Sequence, residues 1–187
     1  MNNILYVNAT MREDSRTHEL AKYFLKRLDG NITELKLTKE NIIFLNEKTL
    51  IERTDILNDN DYENDMLKYA KQFAEADVVV FAAPFWDLSF PAILKAYIEN
   101  ISITNVTFKY DEDGSIIGLC NAKEMYYIST SGGKYIPSFG YDYVKALCQN
   151  MFGIKNAQLI YAENLDIIGN NVNEIMDKAK QEIDRNS

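Results

Sequence analysis

The sequence predicts an α/β fold with a doubly wound, five-stranded parallel sheet and helices on both faces. Residues 77–83 are, after Asp77, an unbroken apolar run that begins with three β-branched valines, which is typical of a buried parallel strand. The residues after Pro91 have apolar side chains at helical spacing, so a helix follows that strand. Strand and helix patterns alternate in the same way along the rest of the chain, which indicates a parallel sheet with crossover helices.

The elements ahead of the buried strand are predicted from their hydrophobic patterns. Apolar or alternating runs predict strands, and apolar side chains at helical spacing predict helices. In chain order these are a strand over residues 4–7, a helix over residues 17–28, an outer strand over residues 32–37, a short helix over residues 47–57 and a helix over residues 61–75. The short helix lies in a long polar connection of the kind that often forms a lid or a pocket wall.

The elements after the buried strand complete the alternation. An Asp-Gly pair at Asp113 and Gly114 lies between two β-rich runs, which is typical of a hairpin. In chain order the predictions are a helix over residues 92–100, a hairpin over residues 106–119, a strand over residues 125–130, a helix over residues 141–152, a strand over residues 157–163 and a helix over residues 171–185. Right-handed crossovers then favour the flavodoxin-like strand order 2-1-3-4-5 in one domain, residues 1–187.

Composition restricts the partners and the compartment. The chain has 187 residues and a formal net charge of −8, so it offers no large basic face. We therefore expect neither nucleic acid nor an anionic membrane as a partner. Cys120 and Cys148 belong to no metal or redox motif, which favours free thiols in a reducing compartment. Because the chain shows neither a leader-like amino terminus nor a long apolar stretch, we expect a soluble cytoplasmic protein.

Three loops are expected to meet at the carboxyl edge of the sheet. In this strand order, ligands bind where the order reverses, between the first and third strands. Residues 8–17 and 84–91 are the loops at that point, and residues 131–136 lie beside them. The arrangement predicts one ligand site built from all three loops.

The first loop has donors that suit a phosphate group. Its candidates come just before a helix or at its start, where free N–H groups and the helix dipole attract anions; they are Thr10, Ser15, Arg16 and Thr17. The loop is neither a Walker loop nor a G-x-G-x-x-G fingerprint, because no glycine occurs before Gly30. A plain helix cap at Asp14 or Ser15 accounts for the same residues without a ligand.

The second and third loops suit a flat ring. Phe85 and Trp86 place two large aromatic side chains between Pro84 and Pro91, where they either contact a ligand or cover the core. The third loop has small residues and backbone donors, which serve a ring or an ordinary turn: Thr130, Ser131, Gly132 and Gly133. Together, a phosphate loop, an aromatic wall and a glycine-rich wall predict a mononucleotide site for FMN.

Other constellations are weak. His18 is the only histidine, and no G-x-S-x-G sequence accompanies it, so a hydrolase triad is not favoured. No Cys/His cluster has metal-ligand spacing, and the acidic run over residues 59–65 lacks the glycine of a calcium loop. We therefore expect no metal.

The aromatic loop and its helix resemble a known family. Residues 84–99, PFWDLSFPAILKAYIE, resemble the segment P-M-[YW]-N-F-x-x-P-x-x-L-K-x-Y-[IF]-D of FMN-dependent NADH-azoreductases, which belong to the wider flavodoxin-like NAD(P)H quinone oxidoreductase family. The resemblance continues through residues 106–110 and 131–135, and residues 15–17 resemble the serine-rich phosphate loop of the family.

The resemblance implies a function and a set of contacts. It implies two-electron transfer from NADH or NADPH through bound FMN to a quinone, an azo compound or a similar flat aromatic acceptor, by a ping-pong mechanism. It places Thr10, Ser15, Arg16 and Thr17 at the phosphate. It places Pro84, Phe85, Trp86, Asp87 and Leu88 along the isoalloxazine, and Thr130, Ser131, Gly132 and Gly133 at its other edge. It also implies a homodimer, with Phe108 and Tyr135 at the acceptor pocket.

Three positions differ from the family segment. Phe85 stands where methionine is usual, Asp87 where asparagine is usual and Leu88 where phenylalanine is usual. A carboxylate near the flavin would disfavour its anionic reduced form, so Asp87 predicts a lower midpoint potential. Two alternatives stay open: an electron carrier of flavodoxin type that does not turn over NAD(P)H, and a binding or regulatory module without FMN.

Overall fold

A twisted parallel sheet lies at the centre of the computed structural model, which describes residues 1–186. Ser187, the last residue of the predicted domain, lies outside the described part. In chain order the strands are β1 (Asn2–Asn8), β2 (Gly30–Lys36), β3 (Val78–Ala82), β4 (Phe108–Tyr110), β5 (Ile116–Gly118), β6 (Glu124–Thr130) and β7 (Asn156–Ala162). The five-stranded sheet has the order β2-β1-β3-β6-β7 with every pair parallel, which confirms the predicted flavodoxin-like order.

Helices cover both faces of this sheet. In chain order they are α1 (Arg16–Leu25), α2 (Glu47–Asn58), α3 (Lys68–Glu75), α4 (Ala92–Ile101), α5 (Tyr141–Leu147) and α6 (Val172–Asn186). Apolar side chains of α1 and α6 pack on one face of the sheet, and those of α3, α4 and α5 pack on the other. The doubly wound arrangement follows from right-handed crossovers between parallel strands.

The central strand β3 is buried on both faces. Val78 and Val80 belong to the cluster beneath α1 and α6, whereas Val79 and Phe81 belong to the cluster beneath α3, α4 and α5. Successive side chains of a strand point to opposite faces, so a strand covered on both sides must be apolar throughout. This position explains the unbroken apolar run that follows Asp77, over residues 78–83.

Three predicted helices begin or end differently in the structure. The helix predicted over residues 17–28 ends earlier, because α1 ends at Leu25. The predicted helix over residues 61–75 begins later, with a 3₁₀ turn at Asp65–Leu67 that leads into α3, because the Asn64 side chain caps the Met66 N–H at 3.1 Å. The predicted helix over residues 141–152 is α-helical only in α5, and Cys148–Phe152 continues as a π-helix. As predicted, Gly153 ends it, with a φ of 82°.

The hairpin predicted after α4 is present as β4 and β5. Its turn is closed by the Asp111 N–H donating to the Ser115 carbonyl at 3.0 Å, and Gly114 has a φ of 84°. Gly118, at its end, lies against the backbone of Phe152 and Gly153. The hairpin therefore packs on the π-helical segment, near the point where β6 and β7 begin.

Both cysteines are buried and neither forms a disulfide. Burial raises the pKa of Cys120 to about 12, and burial also raises the pKa of Cys148. In the part of the chain that the structure describes, no helix has the length and apolar character needed to cross a membrane.

Candidate functional site

A cavity of about 490 Å³ opens at the carboxyl edge of the sheet, between the loops that follow β1, β3, β6 and β7. This is the edge and the switch point that the strand order predicted. The cavity is lined by Met11, Arg12, Asp14, Ser15, Arg16, Thr17, Pro84, Phe85, Trp86, Asp87, Thr130, Ser131, Gly132, Leu165 and Asp166. Its volume lies within the range of about 300–1,000 Å³ that small-ligand sites occupy.

Most of the sequence-predicted residues meet in this cavity. Ten of the thirteen predicted cofactor residues line it; Thr10, Leu88 and Gly133 do not. The structure therefore brings the three predicted loops together. That these residues hold FMN stays a prediction.

The first loop places a helix amino terminus in the cavity. Ser15 is the N-cap of α1 and accepts from the His18 N–H, at 3.4 Å. The hydroxyls of Thr17 and Thr130 are 2.6 Å apart, so this contact joins the first loop to the third. Arg12 and Arg16 add two positive charges to the partial positive charge of the helix end.

Thr10 is buried behind the cavity. Its hydroxyl donates to Asn8 Oδ1 at 2.7 Å, its N–H donates to the same atom at 3.0 Å, and Lys36 Nζ donates to the hydroxyl at 3.0 Å. Thr10 therefore fixes the start of the first loop to the ends of β1 and β2. The asparagine two residues earlier turns the hydroxyl inward, a contact that the sequence pattern did not reveal.

His18 belongs to the same buried network. Its Nδ1 lies 2.7 Å from the Tyr6 hydroxyl and 3.1 Å from Asn8 Nδ2, and Asn8 Nδ2 also donates to Glu34 Oε1 at 2.6 Å. Burial raises the pKa of Tyr6, so the phenol keeps its proton and can donate it to the ring. Burial also lowers the pKa of His18, against the opposing effect of Glu34. In a neutral His18 with Nδ1 unprotonated, this nitrogen accepts from the Tyr6 hydroxyl at the shorter distance, and the ring thereby ties the start of α1 to β1.

The second loop forms a tight turn beside the cavity. Trp86 and Ser89 exchange two backbone hydrogen bonds, at 2.9 and 2.8 Å. Asp87 and Leu88 between them have φ values of 50° and 65°, the pattern of a type I′ turn. The turn leaves the Trp86 side chain 39% exposed, with Asp87 also on the cavity wall.

Tyr135 lies behind the second loop. Its ring meets that of Phe85 edge to face, with centroids 4.8 Å apart, and stacks on Tyr161 at 5.2 Å. The ring is buried and does not line the cavity. In the structure Tyr135 therefore supports Phe85, and its predicted place in an acceptor pocket remains a prediction.

A fourth loop, which follows β7 and contains Leu165 and Asp166, holds the third loop in place. The sequence analysis missed this loop. The N–H groups of Leu165 and Asp166 donate to the carbonyls of Ser131 and Gly132, at 3.1 and 2.9 Å. These contacts bring Leu165 and Asp166 into the lining, and Asp166 Oδ1 forms an ion pair with Arg16 Nη2 at 2.9 Å. The loop contains no motif. The one available indication was that it follows the last strand at the same edge of the sheet.

Phe108 lies elsewhere in the chain. It is buried at the start of β4, with its ring edge-on to Tyr110 at 5.7 Å, and it does not line this cavity. Within one chain it therefore does not meet the three loops. Its role at an acceptor pocket stays a prediction that requires a second copy of the chain.

The groups that line the cavity suit a flat ring that carries a phosphate. The first loop contributes hydroxyls, guanidinium groups and a helix amino terminus, which bind phosphate. The second loop contributes Phe85 and Trp86, and the third loop contributes the backbone of Gly132. These two kinds of group match the phosphate and the ring of FMN.

Comparisons with known proteins agree with this geometry. A family described as having a flavodoxin-like fold matches residues 2–186. An FMN-dependent NADH:quinone oxidoreductase of Clostridium beijerinckii is 40% identical over 189 residues, covering 96% of this chain and 94% of that protein.

Two crystal structures from Bacillus anthracis are similar to the whole chain. An azoreductase superposes with a TM-score of 0.83 at 27% identity, covering 99% of this chain and 98% of that one. An FMN-dependent NADH-azoreductase in complex with FMN superposes with a TM-score of 0.82 at 25% identity, covering 100% and 97%. Because the family match spans residues 2–186, this chain belongs to the family of proteins with the flavodoxin-like fold.

Proposed function

We propose that this protein is an FMN-dependent oxidoreductase that passes two electrons from NADH or NADPH to quinones, azo compounds or similar flat aromatic acceptors. The observation that carries the proposal is the cavity at the switch point, which joins a helix amino terminus and two arginines to an aromatic wall. Relatives and structural neighbours named as FMN-dependent NADH:quinone oxidoreductases and azoreductases support the same activity.

Different residues of the cavity would bind the phosphate and the ring of the cofactor. Ser15, Arg16 and Thr17 would hold the phosphate with hydroxyls, charge and N–H groups at the start of α1. Phe85 and Trp86 would contact the ring, and the backbone beside Gly132 would lie along its other edge. Bound FMN supplies the two-electron chemistry, and the chain binds, orients and tunes it.

The proposal includes a homodimer that works in the cytoplasm. Apolar side chains next to the cavity support a second copy there: Leu88 is 53% exposed and Phe139 is 58% exposed. The two segments are joined, because Ser89 Oγ donates to the Phe139 carbonyl at 2.6 Å. The buried free thiols agree with a reducing compartment. Sedimentation should give twice the chain mass, and a monomer at micromolar concentration contradicts the dimer.

One experiment separates the proposal from both alternatives. The purified protein is incubated with FMN and desalted, its flavin absorbance is recorded, and oxidation of NADH and of NADPH is measured with a quinone and then with an azo dye. Flavin absorbance with acceptor-dependent oxidation of either nicotinamide supports the enzyme. Bound flavin without oxidation of NADH or NADPH supports an electron carrier, and no flavin uptake leaves only a module without FMN.

A matched pair of variants tests the aromatic wall. Trp86→Ala should weaken FMN binding about tenfold, because aromatic stacking on a flat heterocycle contributes about 1–3 kcal/mol. Tyr110→Ala, which removes an exposed aromatic side chain outside the cavity, should leave FMN affinity unchanged. Equal FMN affinities for Trp86→Ala and the unmodified protein would remove Trp86 from the proposed contacts.

A further inference from the structure

An ion pair crosses the cavity between its first and fourth loops. Arg16 Nη2 lies 2.9 Å from Asp166 Oδ1, although 150 positions separate the two residues in the sequence. Arg16 is the first residue of α1, where an anion binds best, and Asp166 follows β7. The guanidinium expected to hold a phosphate thus already has a carboxylate partner.

The fold keeps Asp166 in this place. Its N–H donates to the Gly132 carbonyl at 2.9 Å, and the neighbouring Leu165 N–H donates to the Ser131 carbonyl at 3.1 Å. A Cβ on Gly132 would overlap the Asp166 carboxylate, so the glycine lets the side chain lie directly against the third loop. Backbone contacts therefore hold the main chain of Asp166, and the ion pair with Arg16 holds its carboxylate.

Electrostatics makes this carboxylate a competitor of an incoming phosphate. The pair is accessible to water, with the Arg16 side chain 37% exposed and that of Asp166 65% exposed, so it contributes little to stability and exchanges partners easily. A phosphate dianion offers a guanidinium more charge and more acceptor oxygens than a carboxylate does. A carboxylate that stayed in place would repel the dianion.

We propose that Asp166 holds Arg16 before the cofactor binds and that the cofactor phosphate then replaces Asp166 as the partner of Arg16. The inference rests on the proposed function and deepens it. Asp166 thereby becomes a residue that sets the affinity for the phosphate group and leaves the affinity for the ring unchanged. It lowers the affinity of the site for FMN relative to the same site without the carboxylate.

The test compares FMN with riboflavin, which has the same ring and sugar chain but no phosphate. Asp166→Asn keeps the shape of the side chain and removes its charge. At low ionic strength it should tighten FMN binding about fivefold, as measured by the quenching of flavin fluorescence. Riboflavin affinity should not change. The gain for FMN should shrink at high salt, because charges exposed to water are screened.

A double-mutant cycle shows whether Asp166 acts through Arg16. Arg16→Gln should weaken FMN binding. Adding Asp166→Asn to this variant should restore little of the lost FMN affinity. Arg12→Gln is the matched control, because Arg12 lines the same cavity but forms no ion pair within residues 1–186. In the Arg12→Gln variant, Asp166→Asn should still increase the affinity for FMN about fivefold.

Each remaining outcome overturns the proposal. An unchanged or weaker FMN affinity in Asp166→Asn shows that the carboxylate does not compete, and an equal gain for riboflavin shows that it acts on the ring. The same gain with and without Arg16 shows that it acts on the phosphate directly. If the unmodified protein binds neither flavin, the proposed function fails and this inference fails with it, whereas FMN binding without an effect of Asp166→Asn overturns this inference alone.

Discussion

Asp87 is a carboxylate on the cavity wall, in a backbone conformation that asparagine adopts equally well. Its φ is 50°, and aspartate and asparagine are the non-glycine residues that most readily take positive φ values. Exchange of one for the other should therefore leave the type I′ turn intact. The charge of this side chain can be tested apart from its shape.

Asp87→Asn should raise the midpoint potential of bound FMN. Removing a negative charge beside the ring favours the anionic reduced form, by an amount on the order of 10–30 mV for a two-electron couple. Redox titration against a reference dye measures the potential. Asp14→Asn, beside the start of α1 in the same cavity, should shift the potential less. An unchanged or lower potential in Asp87→Asn contradicts the role of the charge.

His18 predicts a pH dependence of folding stability. Burial lowers its pKa below the ordinary value of 6.5, so the folded state binds this proton less readily than the unfolded state. The free energy of unfolding should therefore fall as the pH drops below about 6.5. Urea unfolding between pH 7.5 and 5.5 should show a steeper loss in the unmodified protein than in His18→Asn.

The chain has no other histidine, so no second imidazole contributes to the difference between the unmodified protein and His18→Asn. The two proteins differ only at residue 18, so the difference between the two stability curves reports this ring and its contacts. Parallel curves would show that protonation of His18 does not disturb its contacts with Tyr6 and Asn8.

At the scale of elements, the hairpin of β4 and β5 depends on a close backbone approach. A Cβ on Gly118 would overlap the backbone of Phe152 and Gly153, where no side chain can move aside. Gly118→Ala should lower the free energy of unfolding by about 2 kcal/mol, as overpacking commonly does. Gly133→Ala, where a Cβ would meet no atom within 4 Å, should stay close to the unmodified protein in a urea titration. Equal stabilities for the two variants would contradict the close packing.

The elements also show which features the sequence could predict. The inner strands β1, β3 and β6 followed from their apolar runs, because burial on both faces leaves little choice of residue. The start of α3 did not follow from periodicity, since the Asn64 cap sets it. The π-helix at Cys148–Phe152 was missed because its apolar spacing resembles that of an α-helix.

For the molecule as a whole, the strand order predicted where the site would be. The three loops met because parallel strands end at one edge of the sheet. The ion pair of Arg16 and Asp166 could not be predicted, since it depends on a loop without a motif that reaches across the cavity. The structure places Thr10 outside the lining with its hydroxyl bonded to Asn8, and its predicted contact with the phosphate stays a prediction.

Cofactor binding should stabilise the whole molecule. A ligand that binds only the folded state at a concentration of about 100 times its Kd adds about 2.7 kcal/mol to the free energy of unfolding. Thermal unfolding with saturating FMN should therefore give a higher midpoint than unfolding without it, and riboflavin at the same concentration should give a smaller shift. Equal shifts for the two flavins would show that the phosphate contributes nothing to binding.

The two buried thiols provide an independent measure of how often the core opens. Because thiolates react and burial raises the pKa of Cys120 to about 12, an alkylating reagent should label the folded protein only after local opening. Cys148 lies at the start of the π-helical segment, and Cys120 follows the hairpin that packs on it. Labelling rates at the two positions, resolved by mass spectrometry, should thus reveal whether this region opens as a unit, and whether flavin at the opposite edge of the sheet slows that motion.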